Sequence, residues 1–308
     1  MPDWRLSNPL IISAGLFLAL IFPAVGGIPV AGYLVEIAAI FFIVHFSLSG
    51  KHLFLGAATV GSILISAVVF GPSLILIALW AKVIVSGTLY GKMLAAGVKP
   101  TRSFVAASVV IALIVLTFFW MEKEIIYSEI DRFENLAAST LPPGETAPGT
   151  DDGMAHWLGQ MVSLFKRLLP SLLILSAMTQ FFVAIVLLHI ALRAGGVFMP
   201  HFVDFVFWKM PFHFIYPVGA VIILRLVGTD NIKIFADNAL LLLGVLYAVF
   251  GFSAMEYYLR KVRLSLFLRV LFYVGFLFLQ VPGLILAAAV GIFDSYFDFR
   301  HVRAKLIG

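Results

Sequence analysis

The sequence predicts an all-α fold, a polytopic transmembrane helix bundle of about eight to ten membrane segments. Three observations carry this expectation. Hydrophobic residues make up 62% of the chain and charged residues only 12%, against roughly half and a quarter in soluble domains. Mean hydropathy is +1.07, more apolar surface than a water-soluble chain of this length can hide, so lipid is the expected solvent. The apolar residues fall in continuous runs about as long as a spanning helix. Lipid admits only helices and closed barrels as spanning structures, and barrel strands would alternate apolar with polar residues.

In chain order, residues 10–25 form the first run, entered at Pro9, where a helix tolerates proline. A lone Arg5 precedes it. Because many further runs follow, it is read as a retained first helix rather than a cleaved signal. Gly26, Gly27 and Pro29 break it. Residues 30–48 and 53–70 are the second and third runs, divided at Lys51 and His52, and Gly71-Pro72-Ser73 then turns the chain. Residues 74–90 are the fourth run and 103–121 the fifth, with Lys92, Lys99 and Arg102 between them.

Residues 122–169 interrupt the pattern with eight acidic and four basic residues. The stretch opens as a charged helical extension and passes through LPPGETAPGTDDG, which cannot pack a core. It resumes as an amphipathic piece, 154–168, read as an interfacial helix on an exposed loop. Residues 170–192 are the sixth run. Residues 195–210 are short, aromatic and expected at the interface. Residues 212–227 are the seventh span and 238–259 the eighth, with Asp237 expected to open the latter. Residues 264–299 are too long for one span of about 20 residues, and Pro282-Gly283 sits in their middle. Basic clusters flank both ends, and basic residues favour the cytoplasm. A hairpin turning at Pro282-Gly283 therefore gives ten segments, with both termini cytoplasmic and the acidic loop outside. A single kinked helix gives nine. Three regions follow: an N-terminal five-helix half (1–121), the acidic extracytoplasmic loop (122–169) and a C-terminal half (170–308).

The net charge of +5 and pI of 9.4 come from basic residues in short loops beside apolar runs. That is loop-charge asymmetry, and nucleic acid is not an expected partner. There is no cysteine, which excludes disulfides and thiolate metal sites. No HExxH and no GxxxxGK[ST] occurs, so neither a zincin nor a P-loop nucleotide site is expected.

Four stretches resemble the YybS-type family of bacterial multi-spanning membrane proteins: LLPSLLIL, MPHFVDFVFWKMP, NALLLLGVLYAVFGFSAMEYYLRK and GIFDSYFDFR. They cover roughly the C-terminal half. One departure is Phe250 before Gly251, where the family more often has Gln. The resemblance implies residence in the cell (inner) membrane. It also implies distant kinship with the substrate-binding (S) subunits of energy-coupling-factor vitamin transporters, with an energy-coupling transmembrane subunit and ATPases as partners.

Ionisable residues at mid-membrane depth are costly and functional by default. Glu36 and Lys82 sit near the middle of the second and fourth runs, at similar depth in the expected topology, and Gln180 is mid-span in the sixth. They form either a polar substrate or ion site or a structural ion pair bridged by an interhelical hydrogen bond. Near the C-terminus, Asp294 and Asp298 share a helix face, and Arg300 lies round the other side while the helix continues. The carboxylates are therefore expected to find partners elsewhere, at Arg260, Lys261 and Arg263, locking the last hairpin. A DxxxD pair also occurs in metal-dependent lipid transferases, but the Asp-Gly…Ala-Arg block those enzymes need is absent, so no metal or other cofactor is expected. Gly87 and Gly91 form a GxxxG, a close-packing signal.

The functional expectation is a transporter-type solute-binding subunit resembling an energy-coupling-factor S component, and not an enzyme. The alternative is a scaffold of cell-envelope machinery, with an intramembrane enzyme last. A binder would turn Glu36, Lys82 and Gln180 towards a void, whereas a scaffold would pack them against each other.

Overall fold

A computed structural model describes residues 29–50, 56, 60, 61, 64, 68, 74–140, 151–194 and 204–300. Every regular element among them is a helix. We number the elements α1 (Pro29–Leu48), α2 (Leu74–Ala95), α3 (Pro100–Thr140), α4 (Asp151–Ala194), α5 (Ile215–Val227), α6 (Asp230–Lys261) and α7 (Leu266–Phe297), with two short 3-10 turns at Phe205–Phe207 and Phe212–Phe214. Residues 56, 60, 61, 64 and 68 are also helical. The first expected run, most of the third and the linker at 141–150 lie outside the described residues. Five helices are long and apolar enough to cross a membrane: Ile77–Ala95, Pro100–Ala137, His156–Ala194, Asp230–Lys261 and Phe278–Phe297. Three shorter apolar helices are Tyr33–Leu48, Phe212–Val227 and Leu266–Phe276.

The chain divides into two compact units, Met1–Pro200 and His201–Gly308. In the first, α1, α2, α3 and α4 pack on one another. Prolines open α1 and α3 at positions where their missing N–H costs nothing. The GxxxG of α2 lies against α1. A methyl group on Gly87 would meet Ile43 at 2.8 Å, and one on Gly91 would meet Ser47 at 2.6 Å. Small residues let the two backbones approach, and the Ser47 hydroxyl donates to the Thr88 carbonyl across the contact at 3.2 Å. Phe181 of α4 joins three helices, stacked on Phe104 of α3 and met edge-on by Tyr90 of α2.

Residues 122–169 differ from the expected exposed loop. α3 runs unbroken past Met121 for 41 residues, about 60 Å at 1.5 Å per residue. That is twice the roughly 30 Å hydrocarbon core. α4 likewise runs through Pro170 for 44 residues. The amphipathic piece at 154–168 is thus continuous with a helix long and apolar enough to cross a membrane and packs on the extension of α3. Lys166 pairs with Asp131, and the Tyr127 hydroxyl donates to the Lys166 carbonyl at 3.3 Å. Only 141–150 separate the two helices. The expected boundaries at 121 and 169 both fall inside helices.

In the second unit, α6 packs on α5, on the Phe205–Phe207 turn and most extensively on α7. α6 begins at Asp230, so Asp237 lies two turns inside it and does not open it. There it accepts from Arg225 Nε of α5 at 2.5 Å. α6 ends where Arg263 adopts φ +59° and Leu264 N–H returns to the Leu259 carbonyl at 3.1 Å. Ser265 then caps α7, its hydroxyl accepting from Leu268 N–H at 3.4 Å.

α7 is two helices across a sharp bend at Gln280 (φ 47°, ψ −123°). Pro282 explains the break. It has no N–H to donate to the Phe278 carbonyl, and its ring disfavours helical backbone at Val281. Gly283 is brought back towards Phe276, whose carbonyl a methyl group on Gly283 would meet at 2.9 Å. Both ends of α7 reach the same turns of α6. Arg269 and Tyr273 bond to Glu256 at 2.5 and 3.0 Å, while the Phe299 carbonyl accepts from the Tyr258 hydroxyl at 3.4 Å. The chain therefore doubles back within 264–299, and its first arm, Leu266–Phe276, is too short to cross alone.

Candidate functional site

Two buried polar centres stand out, one in each unit. In the first, Glu36 on α1, Lys82 on α2 and Gln180 on α4 come together. Lys82 Nζ is ion-paired with the Glu36 carboxylate and donates to Gln180 Oε1 at 3.1 Å. All three residues are at least nine-tenths buried. Their meeting follows from helix placement, since α1 packs on both α2 and α4. The centre is electrically neutral. The ammonium donates to the Gln180 amide oxygen, while its contact with Glu36 Oε1 is an ion pair in which that oxygen accepts no hydrogen bond. A groove of about 550 Å³ runs along the projecting part of α4, lined by His156, Gln160, Ser163 and Arg167 among others. None of the three residues lines it.

The second centre is built on Arg300, whose side chain is fully buried. Its five N–H groups all have acceptors. Nε and Nη2 bond the Asp294 carboxylate at 3.1 and 2.7 Å. Nη1 donates to the Val206 carbonyl at 2.6 Å and to Ser253 Oγ at 2.9 Å. The remaining Nη2 proton goes to the Trp208 carbonyl at 2.7 Å. Ser253 in turn donates towards the Phe205 and Trp208 carbonyls, and Lys209 pairs with Asp298. A planar guanidinium forked onto a carboxylate is the strong form of this contact.

This arrangement corrects the expected partners of Asp294 and Asp298. α7 stops at Phe297, and Asp298 takes the left-handed conformation (φ 50°), which Asp tolerates better than most residues. The chain reverses there and carries Arg300 back over Asp294, so the helical geometry that separates the two no longer applies. Arg260, Lys261 and Arg263 are not the partners. Arg260 binds Glu256 at 2.7 Å, Lys261 lies over the Tyr258 ring, and Arg263 sits at the α6–α7 turn. Glu256 also takes Arg269 and Tyr273, making a third cluster.

Lys209, Ser253 and Tyr273 escaped the sequence reading, and Arg269, expected only as a charge near a helix end, pairs with Glu256. The signal for the first two was present: MPHFVDFVFWKMP, NALLLLGVLYAVFGFSAMEYYLRK and GIFDSYFDFR, three of the four resemblance-bearing stretches, all contribute to the Arg300 centre. Gly251 and Gly291 seat two of them together. A methyl group on Gly251 would overlap the Ala287 carbonyl, and one on Gly291 the Tyr247 carbonyl. Among the described residues no group of three or more His, Cys, Asp or Glu is placed to hold a metal ion.

In comparisons with known proteins, residues 15–295 match a family described as "Predicted membrane protein (DUF2232)". No curated protein and no solved structure matches the chain.

Proposed function

The chain belongs to the DUF2232 family of predicted membrane proteins, and from that premise we propose that it is a multi-pass membrane scaffold, an assembly subunit that positions partner proteins and carries out no reaction of its own. One observation supports this reading above the others: Lys82 is ion-paired with Glu36 and hydrogen-bonded to Gln180. A solute site holds polar groups in reserve for its ligand. Here the membrane-depth charges are spent on each other, as in a lock between helices.

A second reading keeps the transporter-type role, a solute-capture subunit resembling an energy-coupling-factor S component. What favours it is that a carboxylate, an ammonium and an amide from three helices are gathered at one level, an arrangement costly in lipid and common on substrate and ion pathways. On either reading we place the protein in the cell membrane with both termini cytoplasmic. Mild-detergent affinity purification from the native host separates the two. The scaffold reading expects envelope-synthesis or division proteins to co-purify. Recovery of an energy-coupling transmembrane subunit with its ATPases would overturn it in favour of solute capture.

A further inference from the structure

We propose that the α6–α7 turn is a binding site for the headgroup of an anionic phospholipid. Four cations gather there, Arg260, Lys261, Arg263 and Arg269. The carboxylate that serves them is Glu256, which holds both Arg260 and Arg269. Lys261 and Arg263 have no acidic partner among the described residues. The other acids of this region are already matched, Asp294 by Arg300 and Asp298 by Lys209. The turn therefore carries three uncompensated positive charges, and the Nε of Arg269 is buried without an acceptor.

Position selects the ligand. Lys261 ends a helix long and apolar enough to cross a membrane, and a turn at the end of such a helix falls at the level of phospholipid headgroups. Val262, Leu266 and Phe267 flank the cations and are 70%, 68% and 74% exposed. Apolar side chains at the acyl boundary beside basic side chains at the phosphate level suit a lipid, whereas a free anion would leave the apolar flank unused. Phosphatidylglycerol is the simplest probe with this chemistry.

The test is native mass spectrometry of the purified full-length chain, titrated with phosphatidylglycerol and, separately, phosphatidylcholine. The expected result is preferential retention of phosphatidylglycerol. Lys261→Gln and Arg263→Gln should each weaken it about fivefold, as expected for one basic charge near an anionic surface. Arg132→Gln, at an exposed site on α3, should leave it unchanged. The wild-type preference should also shrink as salt rises. Both turn residues are exposed, and if the double variant nonetheless precipitates, that salt titration decides the matter. Equal retention of the two lipids, a preference that survives in the double variant or in high salt, or displacement of the lipid by inorganic phosphate would each overturn the proposal.

Discussion

Pro170 has no N–H, so the Lys166 carbonyl one turn earlier loses its helical donor. The Tyr127 hydroxyl takes that place, which explains how α4 continues through a proline that reads as a helix start. Tyr127→Phe should therefore cost about 1 kcal/mol in thermal unfolding in detergent, the usual worth of one hydrogen bond. In a Pro170→Ala background, where the helix satisfies the carbonyl itself, the same change should cost nearly nothing. An equal loss in both backgrounds would remove Tyr127 from this role. Arg300 poses the larger test. Arg300→Met strands the Asp294 carboxylate and should cost about 3–5 kcal/mol, as for other broken buried pairs. Arg300→Lys keeps the charge but loses the fork and the two loop carbonyls, so it should fall between. A lysine variant as stable as the wild type would show that charge alone holds the centre. Glu36, Lys82 and Gln180 were legible because polar residues stand out inside apolar runs. The Asp294–Arg300 pair was not, because it depends on a left-handed residue at Asp298 that helical spacing does not reveal.

At the scale of elements, α6 and α7 meet through Gly251 and Gly291, each against the partner helix's backbone. Gly291→Leu should force the helices apart and cost more than the 1–3 kcal/mol of ordinary core overpacking, because backbone cannot move aside as a side chain can. Tolerance of leucine with no change in unfolding would mean the two helices do not pack this way. The break in α7 was legible from Pro282-Gly283. Its placement at Gln280 was not, since proline acts on the residues before it. The extension of α4 was misread for a related reason. Residues 154–168 are amphipathic, which in isolation describes a helix lying on a membrane. Their large apolar side chains, Trp157, Met161, Leu164 and Phe165, stay exposed, and the contact with α3 is made through Lys166, by Asp131 and the Tyr127 hydroxyl, partners that periodicity cannot name. Because both ends of α7 reach the same turns of α6, positions 264 and 299 should face one side of the membrane. The chain has no cysteine, so Leu264→Cys and Phe299→Cys can each be labelled with an impermeant maleimide without further changes. Both should react from the same side, and labelling from opposite sides would contradict the doubled-back segment.

At the scale of the whole molecule, the helical membrane character was legible from composition, because no other solvent suits this much apolar surface. The division into units at Pro200 and His201 was not, since the aromatic stretch containing it differs little in hydropathy from its neighbours. Among the described residues the Glu36–Lys82–Gln180 centre of the first unit and the Asp294–Arg300 centre of the second each pair opposite charges, and the scaffold reading rests on the first of them being a lock. The most direct test is the unfolding of Glu36→Gln, Lys82→Met and the double variant, with each purified protein also checked for co-purifying solutes. The account predicts a similar loss of stability in both single variants, near-complete recovery in the double, and no change in bound small molecules. Single variants that fold as well as the wild type, with a solute present in the wild type and lost from them, would contradict it and make the centre a binding site.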